Sequence, residues 1–341
     1  MTKRWIFFIV LSLLAGGCAT EGKRHLRKYH ESRFLMWTTV QLDVCYNSEQ
    51  QKELELAVAK VWERMGEISW KLNVYDEKSD VAKINRAYPA AVPVEKETYQ
   101  VLKDALRYYQ LTSGRFDVTV WPLIQLWRQS EQEHHLLSGE AMQRVLQILG
   151  SDKIELLPDE SVRMKSPKTQ IDLSSIIDGY AADVAKRILQ AEGFSQFLID
   201  TSGELYAAGK NCEGHEWRIG IRHPHKPDQM IGVIEIENQS VTTSGNYEKF
   251  YEIEGKRWSH ILNPLTGYPE KGIASATVIG PNTEDSDALS TALCVLSPEK
   301  GIELINSLGE DWAAVLYLED GEKLQEVESR NFAKYRLRGT R

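Results

Sequence analysis

The stretch that decides the fold is LTSGRFDVTVWPLIQLW, residues 111–127. Ser113 and Gly114 form a helix-stop signal at the end of a helical pattern. The run 116–121 has a strand-like pattern, and we expect it to end where Pro122 follows. Asp117 therefore lies between a helix end and an extended segment, where functional carboxylates are common, although a single aspartate there is more often a turn or cap residue. We expect the aromatic residues Phe116 and Trp121 to lie in the core.

Outward from this stretch, apolar periodicity predicts intermingled helices and strands without a strict βαβ rhythm. The predicted fold class is therefore α+β, with a mostly antiparallel β-sheet core flanked by helices. No GxGxxG motif follows a predicted strand, so a Rossmann-type crevice is not expected. The predicted helices are 49–72, 95–113, 138–149, 179–191, 286–296 and 298–308, and the predicted strands are 34–46, 197–205, 217–222, 232–237, 250–254, 274–279 and 313–318.

The N-terminus has the pattern of a lipoprotein signal peptide over residues 1–17. Lys3 and Arg4 precede an apolar run, residues 5–15, that is too short to span a bilayer. The sequence LAGGC, residues 14–18, resembles a bacterial lipobox, so cleavage would leave Cys18 as the acylated first residue. An ordinary signal peptide with an incidental cysteine is the alternative. With two or more acyl chains, the anchor would be stable.

This pattern predicts a membrane-attached protein on the periplasmic side, with the inner membrane favoured over the outer. Residues 18–33 would be a lipid-anchored linker, and 34–335 a single domain. The basic cluster 23–28 lies within reach of anionic lipid headgroups, or is simply a solvated linker.

Charge and cysteine usage narrow the classes of function. The net charge of −8 argues against a nucleic-acid-binding surface. Beyond Cys18, the chain has Cys45, Cys212 and Cys294, none of them in a CxxC motif. We therefore predict neither a disulfide framework nor a cysteine metal site.

A second informative segment is IDLSSIIDGYAAD, residues 171–183. Asp172 ends a predicted strand, and Ser174 lies in the turn that leads to a helix. Gly179 would let the backbone approach a ligand closely, and amides at a helix N-terminus suit a phosphate. The alternative is a capped helix start, with Ser175 or Asp178 as the N-cap.

The metal candidates lie in TEDSDALST, residues 283–291. Asp287 and Thr291 are four residues apart, so in a helix they share one face. A carboxylate and a hydroxyl are hard oxygen ligands that suit Mg²⁺ together with phosphate oxygens. Without further information, acids at a helix start more often compensate the helix dipole.

The segment TTSGNYEKFYEIEGKRWSHILNPLTGYP, residues 242–269, contains His260 at a strand end. An isolated histidine there is usually structural or solvated. However, imidazole exchanges protons near neutral pH, so His260 is a candidate general acid or base, or a phosphate contact.

Taken together, these segments resemble the ApbE family of flavin transferases, which cleave FAD and attach FMN through a phosphoester to a threonine of a target protein. The resemblance covers residues 34 to about 320 and implies a single ApbE-like catalytic domain, related to the T-fold. It is carried by the strings S-G-x-F-D-x-T-x-x-P-L, D-L-G/S-x-I-A-K-G-Y-A-x-D, A/S-D-A-L-x-T-A-L and H-I-x-D/N-P-x-T-G-x-P.

The resemblance implies roles for individual residues. Asp287 and Thr291 would bind Mg²⁺ with the main-chain carbonyl of Ile177. His260 and Asp287 would be catalytic, with His260 the first choice for proton transfer and Asp117 a further possibility. The implied flavin contacts are Met36, Tyr75, Phe116, Asp117, Val118, Ser174, Tyr180, His260 and Ile261.

The sequence departs from the family strings at three positions near these residues. Ile177 replaces an alanine, which is mild because any residue has a carbonyl oxygen. Asp178 replaces a lysine and so reverses a charge near the phosphate site. Trp37 replaces the glycine of an M-G-T string.

The resemblance further implies Mg²⁺-dependent transfer of FMN from FAD, with AMP leaving. The acceptor would be a membrane redox-pump subunit carrying a D/S-G-A-T/S-x-A-T-type motif. An FAD pyrophosphatase that releases FMN and AMP, and a non-catalytic flavin-binding lipoprotein, are the alternatives.

Overall fold

The computed structural model describes residues 26–337, apart from 137, 248 and 322. The predicted signal peptide and Cys18 lie outside this range. Within it, no helix is both long enough and apolar enough to cross a membrane.

An eight-stranded sheet forms the centre of the fold. Its strand order is β1-β2-β6-β7-β10-β13-β14-β15, and every neighbouring pair is antiparallel. The α+β prediction is thereby confirmed. The fifteen strands of the described ranges are β1 Arg27–Leu35, β2 Thr38–Tyr46, β3 Ala91–Pro93, β4 Ile154–Leu156, β5 Ser161–Met164, β6 Phe197–Thr201, β7 Leu205–Ala208, β8 Trp217–His223, β9 Lys226–Ile236, β10 Gln239–Gly245, β11 Phe250–Ile253, β12 Lys256–Ser259, β13 Ile273–Gly280, β14 Ala313–Asp320 and β15 Lys323–Glu328.

Helices cover one face of this sheet, and a β-hairpin covers part of the other. In the described ranges the α-helices are α1 Gln51–Lys71, α2 Asp80–Arg86, α3 Lys96–Leu111, α4 Trp121–Gln132, α5 Gly139–Leu146, α6 Ile177–Ala191, α7 Thr283–Leu293 and α8 Pro298–Ser307.

Strand β13 shows the effect of this layering, because all eight of its residues are buried. Val278 packs with Leu289 of α7, whereas Ile279 packs with Ile219 and Ile234 of the β8–β9 hairpin. A strand covered on both faces needs apolar residues at successive positions rather than alternating ones. Residues 273–280 accordingly include no charged side chain, and even the polar Ser275 and Thr277 are buried.

The 111–127 stretch differs from its prediction. Trp121 begins helix α4, with Pro122 in its first turn, where the missing N–H of proline costs no hydrogen bond. In the preceding run, only Val120 forms a β-bridge, with Gln170. Proline here begins a helix rather than ending a strand.

Helix α2 was not predicted.

The N-terminal boundary also differs from prediction. The predicted strand 34–46 is a hairpin of β1 and β2, with a turn at Met36 and Trp37, both at positive φ. Strand β1 begins at Arg27, inside the predicted linker, and Lys28 forms an ion pair with Asp43 at 2.9 Å. Part of the basic cluster therefore belongs to the folded domain.

The prediction that no disulfide is present was wrong. Cys45 of β2 is bonded to Cys212, which follows β7. The two cysteines are 167 residues apart. Because this proximity arises only from sheet assembly, no local spacing pattern could have indicated it.

Candidate active site

A cavity of about 210 Å³ lies where the four segments 111–127, 171–183, 242–269 and 283–291 converge. It contains residues from the 111–127 stretch, the start of α6, the end of β10, α7 and the segment after β12. Six of the predicted site residues line it: Asp117, Ser174, His260, Ile261, Asp287 and Thr291.

The other predicted flavin contacts do not line this cavity with their side chains. Phe116 and Val118 are buried in the core, as expected for Phe116 from its aromatic character, so only their backbone is available to a ligand. Tyr180 is also buried, and its hydroxyl donates to Glu97 at 3.0 Å. Met36 lies in the turn of the β1–β2 hairpin and packs against the core.

Tyr75 lies in a separate, open cleft and is half-exposed. Its ring is edge-on to Trp121, with 5.1 Å between the centroids, and the guanidinium of Arg128 lies 5.1 Å from the Tyr75 centroid. The ring is thus held by neighbouring side chains at the surface rather than by the core.

Two short segments run side by side at the floor of the cavity. The Asp172 N–H donates to the Val118 carbonyl at 2.8 Å, next to the bridge formed by Val120. This pairing holds Asp117 and Asp172 on the same wall. Asp117 Oδ1 accepts from the Thr119 N–H at 2.9 Å and from the Ser151 hydroxyl at 2.6 Å, while burial raises the pKa of Asp117.

The starts of α6 and α7 are packed directly against each other. Asp287 Oδ2 accepts from the Gly179 N–H at 3.1 Å. A Cβ at Gly179 would lie 2.7 Å from the Thr283 carbonyl oxygen and 2.9 Å from Glu284 Cα, so no side chain fits at position 179. The glycine thus permits close approach of the two helices, rather than of a ligand alone.

The hydroxyl of Thr291 is next to Asp287 on the same helix. The four-residue spacing places both on one face of α7, as predicted. Ser244 from the end of β10 contacts the Thr291 hydroxyl at 3.3 Å and the Ser290 hydroxyl at 2.8 Å. These contacts hold the Thr291 hydroxyl beside the end of β10.

The charges at the packed starts of α6 and α7 favour the binding of a cation. Burial, and then the charge of Asp178, raise the pKa of Asp287. Burial also raises the pKa of Asp178 to about 7, against the lowering effect of Lys249. Two carboxylates in one buried site repel each other, and a bound divalent cation would offset this electrostatic repulsion.

The donor set also fits Mg²⁺. Among the described residues, no three His, Cys, Asp or Glu side chains converge as a metal cluster. The predicted ligands are instead one carboxylate, one hydroxyl and one main-chain carbonyl, of Asp287, Thr291 and Ile177. Mg²⁺ characteristically takes one or two carboxylates and completes its shell with water and substrate phosphates.

The tautomer of His260 is defined by one hydrogen bond. Its Nδ1 lies 2.9 Å from the Lys249 carbonyl oxygen. Because a carbonyl only accepts, Nδ1 carries the hydrogen, and Nε2 of the neutral ring is an acceptor. Burial lowers the pKa of His260 to about 4, so the ring is neutral at pH 7.

The cavity also contains charged residues that were not predicted as site residues. Lys249, Arg115 and Glu204 all line it. Lys249 lies inside the 242–269 segment, and this position was the only indication in the sequence that it could be a site residue. Nothing local to the sequence indicates that its charge faces Asp178, which lies on another element.

Together, these features describe an α+β protein with a cleft that brings buried carboxylates, hydroxyls and a neutral histidine together. The ApbE family model matches residues 36–316, and the chain belongs to this family. It is 31% identical to the FAD:protein FMN transferase of Escherichia coli K12 over 272 residues, 77% of each chain.

Solved structures agree with this assignment. The ApbE protein from Thermotoga maritima superposes with a TM-score of 0.82 at 29% identity, covering 91% of this chain and 100% of the other. The apo form of the flavinyl transferase ApbE from Pseudomonas stutzeri gives a TM-score of 0.79 at 28% identity, covering 91% and 96%.

Proposed function

We propose that the protein is an FAD:protein FMN transferase, which moves FMN from FAD to a threonine hydroxyl of a target protein and releases AMP. The observation that carries the proposal is the convergence of Asp287, Thr291 and His260 on one cavity. The name of the Escherichia coli relative supports the same activity.

Asp287, Thr291 and the Ile177 carbonyl would hold Mg²⁺, which would neutralise charge on the FAD diphosphate while its phosphoanhydride bond is replaced by a phosphoester to threonine. The serines at the start of α6 line the cavity, where backbone amides suit phosphate oxygens. The Gly179 N–H donates to Asp287, so the carboxylate is oriented before any ligand arrives. This preorganisation reduces the reorganisation needed during reaction.

His260 would accept the proton of the attacking threonine hydroxyl at Nε2. The threonine oxygen forms a bond to the FMN-side phosphorus while the bond from that phosphorus to the AMP oxygen breaks. Because Nδ1 is held by the Lys249 carbonyl, the ring presents its basic nitrogen without a tautomer change. Its low pKa makes it a weak base, which suits orientation of the hydroxyl and proton transfer late in the step.

The first test is incubation of the purified domain with FAD, Mg²⁺ and a peptide carrying a D/S-G-A-T/S-x-A-T-type motif. We expect a mass gain of one FMN on the peptide, and none when its acceptor threonine is replaced by alanine. Free FMN formed equally with and without peptide would identify a pyrophosphatase instead. Intact FAD under all conditions would identify a flavin binder.

We further propose that the protein is anchored through Cys18 on the periplasmic face of the membrane. The signal-peptide pattern of residues 1–17 supports export. The Cys45–Cys212 disulfide supports it independently, because such bonds persist in oxidising compartments and are rare in the cytosol.

Metabolic labelling with radioactive palmitate tests the anchor. We expect label on the wild-type protein and none on Cys18→Ala, because the thiol is the acylation site. Cys294→Ala is the matched control and should keep the label, since Cys294 is buried in the folded domain. Label retained by Cys18→Ala would contradict the proposal.

A further inference from the structure

Asp178 is the residue at which this chain departs most strongly from the family string, and the structure places it inside the cavity. It is the second residue of α6, and its carbonyl accepts from the Thr201 hydroxyl at 3.2 Å. Its side chain lines the cavity together with Asp287 and Thr291. The charge reversal is therefore located at the candidate cation site itself, rather than on the outer surface.

The Asp178 side chain lacks the support that its neighbours have. Its Oδ1 atom is sealed from solvent and, within the described residues, has no hydrogen-bond partner. The three other aspartates lining the cavity each accept a backbone N–H: Asp117 from Thr119, Asp172 from Ser174 and Asp287 from Gly179. A buried polar atom with no partner is costly, and such atoms commonly mark a site completed by an ion or water.

The surrounding charges indicate a cation rather than an anion. Asp178 lies beside Asp287, because the next residue, Gly179, donates its N–H to Asp287 Oδ2 at 3.1 Å and both aspartates line the same cavity. Two carboxylates placed in this way repel each other. The opposing positive charge comes from Lys249, which is exposed at the cavity rim and acts on Asp178. A long, flexible ammonium group at the rim can balance this charge only in part.

We propose that Asp178 is a further ligand of the cation site, which lets this chain bind a divalent cation before nucleotide, and that Lys249 competes with that cation for the carboxylate. This inference rests on the proposed function, because the ligand lies beside Asp287 and Thr291. With two carboxylates and a hydroxyl, the site has enough oxygen donors to hold Mg²⁺ or Mn²⁺ without phosphate oxygens.

Isothermal titration of the nucleotide-free protein with MgCl₂, and separately with MnCl₂, tests the proposal. We expect Asp178→Asn to weaken cation binding about tenfold or more, because a charged ligand is lost. Lys249→Met should strengthen binding by about the same factor, since a competing charge is removed. Glu303→Gln is the control, because it removes one negative charge, as Asp178→Asn does, from an exposed position on α8. Its cation affinity should stay within twofold of wild type.

Cation affinity is expected to fall in Asp178→Asn and to rise in Lys249→Met. The Lys249→Met result therefore tests the proposal even if Asp178→Asn folds poorly. Unchanged binding in both variants would overturn the proposal, as would weaker binding in Lys249→Met. No binding to the nucleotide-free wild type would also overturn it. The proposed function would survive that last result if FMN transfer still required Mg²⁺, because the diphosphate could complete the shell, so the two failures are distinguishable.

Discussion

Asp287→Ala should lower the rate of FMN transfer by about 10³-fold or more, because several kcal/mol of charge stabilisation at the phosphates would be lost. The side chain is buried, and its Oδ2 accepts from Gly179 at the junction of α6 and α7. Single-turnover transfer to an acceptor peptide, followed by mass spectrometry, measures the effect. FAD should still bind, because the rest of the cavity is unchanged. Unchanged turnover would remove Asp287 from the cation site.

Asp287→Asn is the matched variant, since it keeps the shape and an oxygen acceptor for the Gly179 N–H. We expect it to lose turnover as well, yet to unfold at a higher temperature than wild type in EDTA at pH 7. The pKa of Asp287 is raised in the folded state, so ionisation opposes folding as the pH rises through that value. Below the unfolded pKa of about 3.9, both states are protonated and the difference should shrink. A less stable Asp287→Asn at pH 7 would contradict this account.

His260→Ala should reduce transfer by about 10²–10⁴-fold, the range typical of a lost general acid or base. FAD affinity should change much less than the rate, which separates proton transfer from binding. His215→Ala, in the exposed loop before β8, is the control and should transfer normally. Equal rates for wild type and His260→Ala would exclude a role in proton transfer.

The pH profile gives a second measure of His260. Because burial lowers its pKa to about 4, the ring stays neutral from pH 5 to 8, and transfer should show no histidine limb near 6.5. Any loss of rate caused by protonation of His260 should appear only as the pH approaches 4, where protonation removes the Nε2 lone pair. A limb near pH 6.5 that is absent from His260→Ala would show that the ring titrates normally in the working enzyme.

What the sequence could predict depended on local pattern. The 3.6-residue period of α1 and the four-residue spacing of Asp287 and Thr291 are properties of one helix, so they needed no tertiary information. Long motif strings likewise located His260. Proline was ambiguous, because Pro122 suits the first turn of α4 as well as the end of a strand.

The tertiary structure decided how distant segments meet. The Gly179–Asp287 hydrogen bond joins residues 108 apart, and the Cys45–Cys212 disulfide joins residues 167 apart. Periodicity and propensity act over a few residues, whereas these contacts depend on which strands pair and which helix starts pack together. For the same reason, the sequence showed that Asp178 replaces a lysine of the family string, but not where its side chain lies. Only the tertiary structure places Asp178 in one cavity with Asp287 and Lys249.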